Sequence, residues 1–197
     1  MRVPLAICDV VAGADPAASD KRVSRKTSRS AVAVVARDAD DNIYIVDARC
    51  DYVDTVKMMD WFFSLRRRFA RDWRVMRFEA AGPFKLMVSL LRREETLRGS
   101  DLNFLPIPSL GEKLSTIRLI WEPYLKRNAV FVADAVWNLM SREFNVFPSQ
   151  MLDLMDAVKI AISGTHSVAE DDSGHYDDDE DGEKSDFSRR HVASTGY

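Results

Sequence analysis

Short apolar runs of alternating or β-branched character give way along this chain to longer stretches whose apolar positions recur every three or four residues. Residues 9–15, Asp-Val-Val-Ala-Gly-Ala-Asp, predict a first strand that ends in a carboxylate just ahead of Pro16. The runs "SAVAVVAR" (30–37) and "NIYIVDARC" (42–50) are rich in β-branched residues, and Asp38-Ala39-Asp40-Asp41 joins them as a hairpin. Asp54 stands as an N-cap before "TVKMMDWFFSLRRRFARDW" (55–73), whose spacing predicts a helix. A strand over 74–80 follows, then a helix opened by Gly82-Pro83 and at most a short strand in "NFLPIPSL". A helix from Glu112 to Lys126, a strand "AVFVA" and a helix over 135–143 come next. The last helix lies in "FPSQMLDLMDAVKIAIS", with Ser149 as its N-cap.

Three antiparallel strands followed by alternating helices and strands predict an α/β fold with a mixed sheet. By element order this suits a ribonuclease-H-like sheet, flanked by helices, in which the first strand lies centrally beside the fourth.

Composition adds a boundary. The chain of 197 residues carries a net charge of −3, but the residues from Glu170 onward hold ten acidic and three basic groups. That leaves 25 basic against 21 acidic residues in 1–169, a mildly basic body that fits nucleic acid. Residues 167–197 have hardly any large aliphatic side chains and predict a disordered acidic tail, so the globular domain is expected over 1–166. No apolar run approaches a membrane span and no leader is evident. Cys8 and Cys50 make no disulfide framework; they read as small buried hydrophobes, and a reducing cytosolic compartment is the simplest setting. Trp61, Phe62, Phe63, Trp121 and Trp137 fall at helix spacing and read as core. His166, His175 and His191 show no zinc spacing.

The chemistry rests on carboxylates in places where carboxylates are costly. Aspartate is depleted in strands and expensive to bury unpaired. Asp15 ends the first strand and Glu79 the fourth, so parallel neighbours would bring both to one carboxyl edge. Asp153 and Asp156 are three apart on the last helix and share the face that docks on the sheet. Taken singly, Asp15 is a turn former before Pro16, Glu79 a salt-bridge partner for Arg74 or Arg77, and Asp156 a helix residue at the solvent edge. Together they suit two Mg²⁺ or Mn²⁺ ions, the usual means of activating water and stabilising the leaving oxygen in phosphodiester hydrolysis.

The segments "GADPA", "FEAAG" and "FPSQMLDLMDAVKIAI" resemble the nuclease domain of the large terminases that package DNA in tailed phages. The resemblance covers residues 9–163. It implies that Asp15, Glu79 and Asp156 are the metal-binding catalytic acids and Asp153 the auxiliary one, and that the chain cuts concatemeric viral DNA during genome packaging. It also implies double-stranded DNA, an ATPase domain, a portal and a small terminase subunit as partners, and the host cell cytoplasm as location. "KLSTIRLIWEPYLKRNAVFV" resembles a further family stretch, but Ile117-Arg118 inverts its Arg-Ile pair and Asn128-Ala129 stands where glycine is usual, so no role passes to Lys113 or Arg118. No G-x-x-x-x-G-K-[ST] loop occurs, so the chain reads as the nuclease portion without a motor.

Between Asp15 and the second strand, Lys21, Arg22, Arg25, Lys26 and Arg29 lie among small polar residues and suit phosphate contacts without base reading. Arg66, Arg67 and Arg68 spread around a helix and read as a solvated face. The alternatives to a packaging nuclease are a junction resolvase or RNA–DNA hybrid nuclease with the same acids, or a non-catalytic DNA-binding module of that fold.

Overall fold

A computed structural model describes residues 5–17, 28–80, 86–148 and 152–166. Lys21, Arg22, Arg25, Lys26, the Gly82-Pro83 pair, Ser149, His175, His191 and residues 167–197 lie outside the described residues.

Strand β1 (Asp9–Asp15) pairs antiparallel with β2 (Ser30–Arg37), which pairs antiparallel with β3 (Ile43–Asp51). On its other side β1 runs parallel to β4 (Trp73–Glu79), and β4 runs parallel to β5 (Phe104–Ile107). A short β6 (Val130–Val132) lies parallel to β3, which gives a six-stranded sheet of order β5-β4-β1-β2-β3-β6. The central β1, antiparallel to β2 and parallel to β4, is the ribonuclease-H-like arrangement expected from the element order. Pro106 is tolerated in β5 because an edge strand needs no outward amide.

The helices are α1 (Thr55–Arg68), α2 (Met87–Arg98), α3 (Lys113–Lys126), α4 (Asp134–Phe144) and α5 (Asp153–Ile162). Strand side chains alternate between faces, so Val10, Ala12 and Ala14 pack with α1 and α2 residues such as Phe62, Leu65 and Leu91. Val11, Val35 and Ile45 turn the other way, against Ile117 and Trp121 of α3, Met140 of α4 and Leu154 and Val158 of α5. Both faces are covered, which is why β2 reads as an unbroken apolar run.

Helix α5 crosses β1 at the one strand position without a side chain. A Cβ on Gly13 would lie 2.1 Å from the Ala157 carbonyl oxygen and 2.4 Å from the Ala161 nitrogen. Glycine in the strand interior therefore marks a backbone approach. Every residue of α5 is buried, including Asp153, Asp156 and Lys159.

Several boundaries differ from the sequence reading. Helix α1 stops at Arg68, and Trp73 joins β4, where its ring is buried and its Nε1 donates to the Leu102 carbonyl at 3.0 Å. Asp54 caps α1 as expected, accepting from the Lys57 amide at 2.7 Å. Trp61, Phe62, Phe63 and Trp121 are core, but Trp137 is 50% exposed, lying against Phe144 on the outer side of α4. Cys8 and Cys50 are only partly buried and form no disulfide. Among the described residues no helix is long and apolar enough to cross a membrane.

Candidate functional site

The parallel register sets Ala14 opposite Phe78, which makes Asp15 and Glu79 the next positions at the carboxyl edge of two adjacent strands. Both follow the alternation of Val11 and Val75, which pack on the α5 side, so the two acids stand on the face that α5 covers. The close crossing at Gly13 brings the first turn of α5 over that edge, and with it Asp153 and Asp156, which are 2% and 4% exposed. The four expected acids thus belong to one network.

Two lysines tie it together. Lys113 opens α3, and its Nζ lies 2.9 Å from Asp15 Oδ2, 3.0 Å from Asp156 Oδ2 and 3.6 Å from Asp153 Oδ1. Lys159, one turn beyond Asp156 on α5, is 1% exposed; its ammonium pairs with Asp156 Oδ1 and lies 3.7 Å from Glu79 Oε1. Glu79 Oε1 also accepts from the Leu110 amide at 3.3 Å. Glu79 is therefore bound to neither Arg74, which pairs with Asp9, nor Arg77, whose NH1 donates to Ser163 Oγ.

Burial dominates the electrostatics, and the charge opposed to it most strongly at Asp15 is that of Lys113. Burial pushes the Asp15 carboxyl up to about 7; the Lys113 ammonium pulls it down, and the charges of Asp156 and Asp153 add to the rise. Burial works against the Lys113 ammonium as well, yet Asp15 and Asp156 hold its pKa above the ordinary lysine value.

A second group of charges braces α5 from behind. Leu152, at its N-cap, offers no side-chain cap, and Ser149 lies outside the described residues. The cap comes from α4 instead: Glu143 accepts from the Leu154 amide at 3.1 Å and from the Met155 amide at 2.9 Å. Arg29 NH2 donates to Glu143 Oε1 at 2.5 Å, while its Nε and backbone amide donate to Asp153 Oδ2 at 3.3 and 3.1 Å. Of the five basic residues assigned to DNA, Arg29 alone is described, and its guanidinium faces inward onto two acids. Ligand atoms of Cys50, Glu143 and Asp153 lie within 4.8 Å of one another. Arg29 neutralises both acids there, and burial raises the Cys50 thiol well above its ordinary pKa, so in this structure the trio braces the start of α5. Glu143→Gln keeps one acceptor for the α5 amides and removes the charge facing Arg29. It is expected to lower stability by about 2 kcal/mol, read as a shift in urea midpoint.

Lys113, Lys159 and Glu143 were not singled out as site residues from the sequence. Lys159 had a visible signal, a lysine within the apolar run "AVKIAI". Lys113 opens the terminase-like stretch "KLSTIRLIWEPYLKRNAVFV", which was given no role because its other positions depart from the family, and Glu143 had no signal, being brought in by tertiary packing. The donor set suits a hard divalent cation: Asp15, Asp153 and Asp156 direct carboxylate oxygens at one positive charge, with Glu79 linked to them through Lys159.

No protein-family model matches the chain, and no curated protein matches it. Among solved structures it is similar to the yeast mitochondrial Holliday junction resolvase, at 12% identity over 77% of each chain with a TM-score of 0.47. It is similar also to the fowlpox virus Holliday junction resolvase, at 11% identity over 78% of this chain and 95% of that one, TM-score 0.45. Thermus thermophilus RuvC gives 13% identity over 78% and 91%, TM-score 0.41. The strand order and polarity of the sheet itself are ribonuclease-H-like.

Proposed function

We propose that the chain is a metal-dependent DNA endonuclease. The observation that carries this reading is the convergence of Asp15, Asp153 and Asp156 on one cationic position at the carboxyl edge of β1, with Glu79 joined to them from β4. Asp15, Glu79 and Asp156 would hold Mg²⁺ or Mn²⁺, with Asp153 as the auxiliary acid. When bound, two such ions activate a water and stabilise the leaving oxygen of a phosphodiester. Lys159 keeps Asp156 and Glu79 paired within the core, and Arg29 and Glu143 fix the start of α5, so the acids do not have to be assembled when the substrate arrives. Five carboxylates face only three cations, so the cluster keeps carboxylate oxygens to spare for divalent ions.

DNA would cross the same edge. The segment holding Lys21, Arg22, Arg25 and Lys26 leaves the described body at Ala17 and returns at Ser28. Both points adjoin the carboxylates: the Ala17 amide donates to Ser30 Oγ at 3.1 Å, and Arg29 touches Asp153. Those four cations would contact phosphates without reading sequence.

The test is cleavage of supercoiled plasmid, linear duplex and a four-way junction in Mg²⁺, Mn²⁺ and EDTA. Metal-dependent cutting that EDTA abolishes is expected. Plain duplex as the preferred substrate fits the packaging nuclease that the terminase-like motifs imply, working with an ATPase, a portal and a small subunit. A preference for the junction fits the activity named for the resolvases above and removes the packaging partners. No metal-dependent cutting of any substrate would overturn the reading and leave a non-catalytic DNA-binding module.

A further inference from the structure

The two lysines of the site differ in one respect that bears on how it loads. Lys159 is sealed in the core, 1% exposed, on a helix whose every residue is buried. Lys113 has a side chain 39% exposed, on the first residue of α3 at the solvent edge. Gly111, with φ of +99°, turns the chain just before it, and Glu112 caps the helix by accepting from the Leu114 and Ser115 amides. The backbone at Lys113 is thereby held, so a change at its ammonium can come only from rotation of the four-carbon stem.

Its ammonium sits among the same oxygens that would ligate an ion: Asp15 Oδ2, Asp156 Oδ2 and Asp153 Oδ1. A divalent cation binding those atoms, at the roughly 2.0–2.1 Å that Mg²⁺ requires, would stand against the ammonium at a separation where two positive charges repel strongly. The two cations cannot share the position. Without any cation, three carboxylates, two of them almost fully buried, would face one another at high electrostatic cost.

We propose that Lys113 is a built-in countercation: it holds Asp15, Asp153 and Asp156 together in the metal-free protein, and the first divalent ion must displace it. Lys113 thereby sets the ion concentration at which the site fills. It is a positioning residue, acting through the acids it neutralises. This inference rests on the metal site of the proposed function.

The test needs neither DNA nor cleavage. Mn²⁺ binding to the full chain is measured by calorimetry for the wild type, Lys113→Met and Lys113→Arg, with thermal unfolding of each in EDTA and in saturating Mn²⁺. The methionine variant keeps the stem and removes the competitor, so it is expected to bind Mn²⁺ about tenfold or more tightly, the scale on which neighbours of metal ligands act. It should melt below the wild type in EDTA, with the gap closing in Mn²⁺. The arginine variant, whose charge and fork persist, should bind no more tightly than the wild type. If the methionine variant does not fold in EDTA, adding Mn²⁺ should restore its melting transition; failure to do so overturns the proposal, as does an arginine variant that binds more tightly. Equal or weaker Mn²⁺ binding by the methionine variant overturns the countercation role and leaves the metal site standing. No Mn²⁺ binding by the wild type overturns the metal site itself.

Discussion

Asp15→Asn is expected to give a folded protein that no longer cuts DNA. The amide keeps the shape of the carboxylate but gives up the charge at the end of β1, where the acids of α5 converge. Cleavage should fall by at least about a hundredfold, since loss of even a supporting partner of a metal site costs ten- to a hundredfold. Asp156→Asn should match it. Asp153→Asn should be milder, because Asp153 Oδ2 is already occupied by Arg29 and only Oδ1 faces Lys113. Stability supplies an independent readout. With its pKa raised from 3.8 to about 7 by burial, Asp15 resists ionising in the folded metal-free protein. Its contribution to folding therefore worsens as pH rises from the unfolded value toward 7, and the full penalty stands above that. In EDTA the asparagine variant should gain clearly more thermal stability over the wild type at pH 8 than at pH 5. An equal difference at both values, or cutting at the wild-type rate, would refute the assignment.

Gly13→Val should be the most damaging single change away from the acids. The added Cβ would meet main-chain atoms of Ala157 and Ala161, which cannot rotate aside as a side chain could. Either β1 bends or α5 lifts, and overpacking of this kind costs about 3 kcal/mol and at times more. For a chain of this size that is a fall of roughly 10 °C in Tm. Lifting α5 also carries Asp153 and Asp156 away from Asp15, so cleavage should drop further than the unfolded fraction explains. Gly13→Ala meets the same two atoms and should show the smaller form of both effects. A valine variant with wild-type Tm would mean that the helix does not rest on the strand here.

The strands and their order were readable because periodicity two, β-branched composition and the Asp38–Asp41 turn all point one way. Helix α5 was readable for the opposite reason, acids set among apolar residues on a face with nowhere else to go. What stayed hidden was the counter-charge. Lys113 was set aside because the rest of its terminase-like stretch departs from the family, and its role exists only because α3 starts where β1 ends. Glu143 lies nine residues before Leu152, and only the folded chain shows that it caps a helix other than its own. Arg29 closes a basic loop, and composition assigned it outward with its neighbours. Its inward turn depends on two acids from distant segments.

Beyond α5 the chain is pinned at the far end of the sheet. The His166 amide donates to Asp9 Oδ2 at 2.7 Å, and Arg37 NH1 donates to the Thr165 carbonyl at 3.1 Å. Asp9 begins the strand that Asp15 ends, and six residue steps at about 3.3 Å separate the two by roughly 20 Å. A biotin or fluorophore coupled at position 166 would therefore join the molecule on the side away from the carboxylates. The protein could be tethered to a surface there for single-molecule work, with the carboxylate edge turned to the solution.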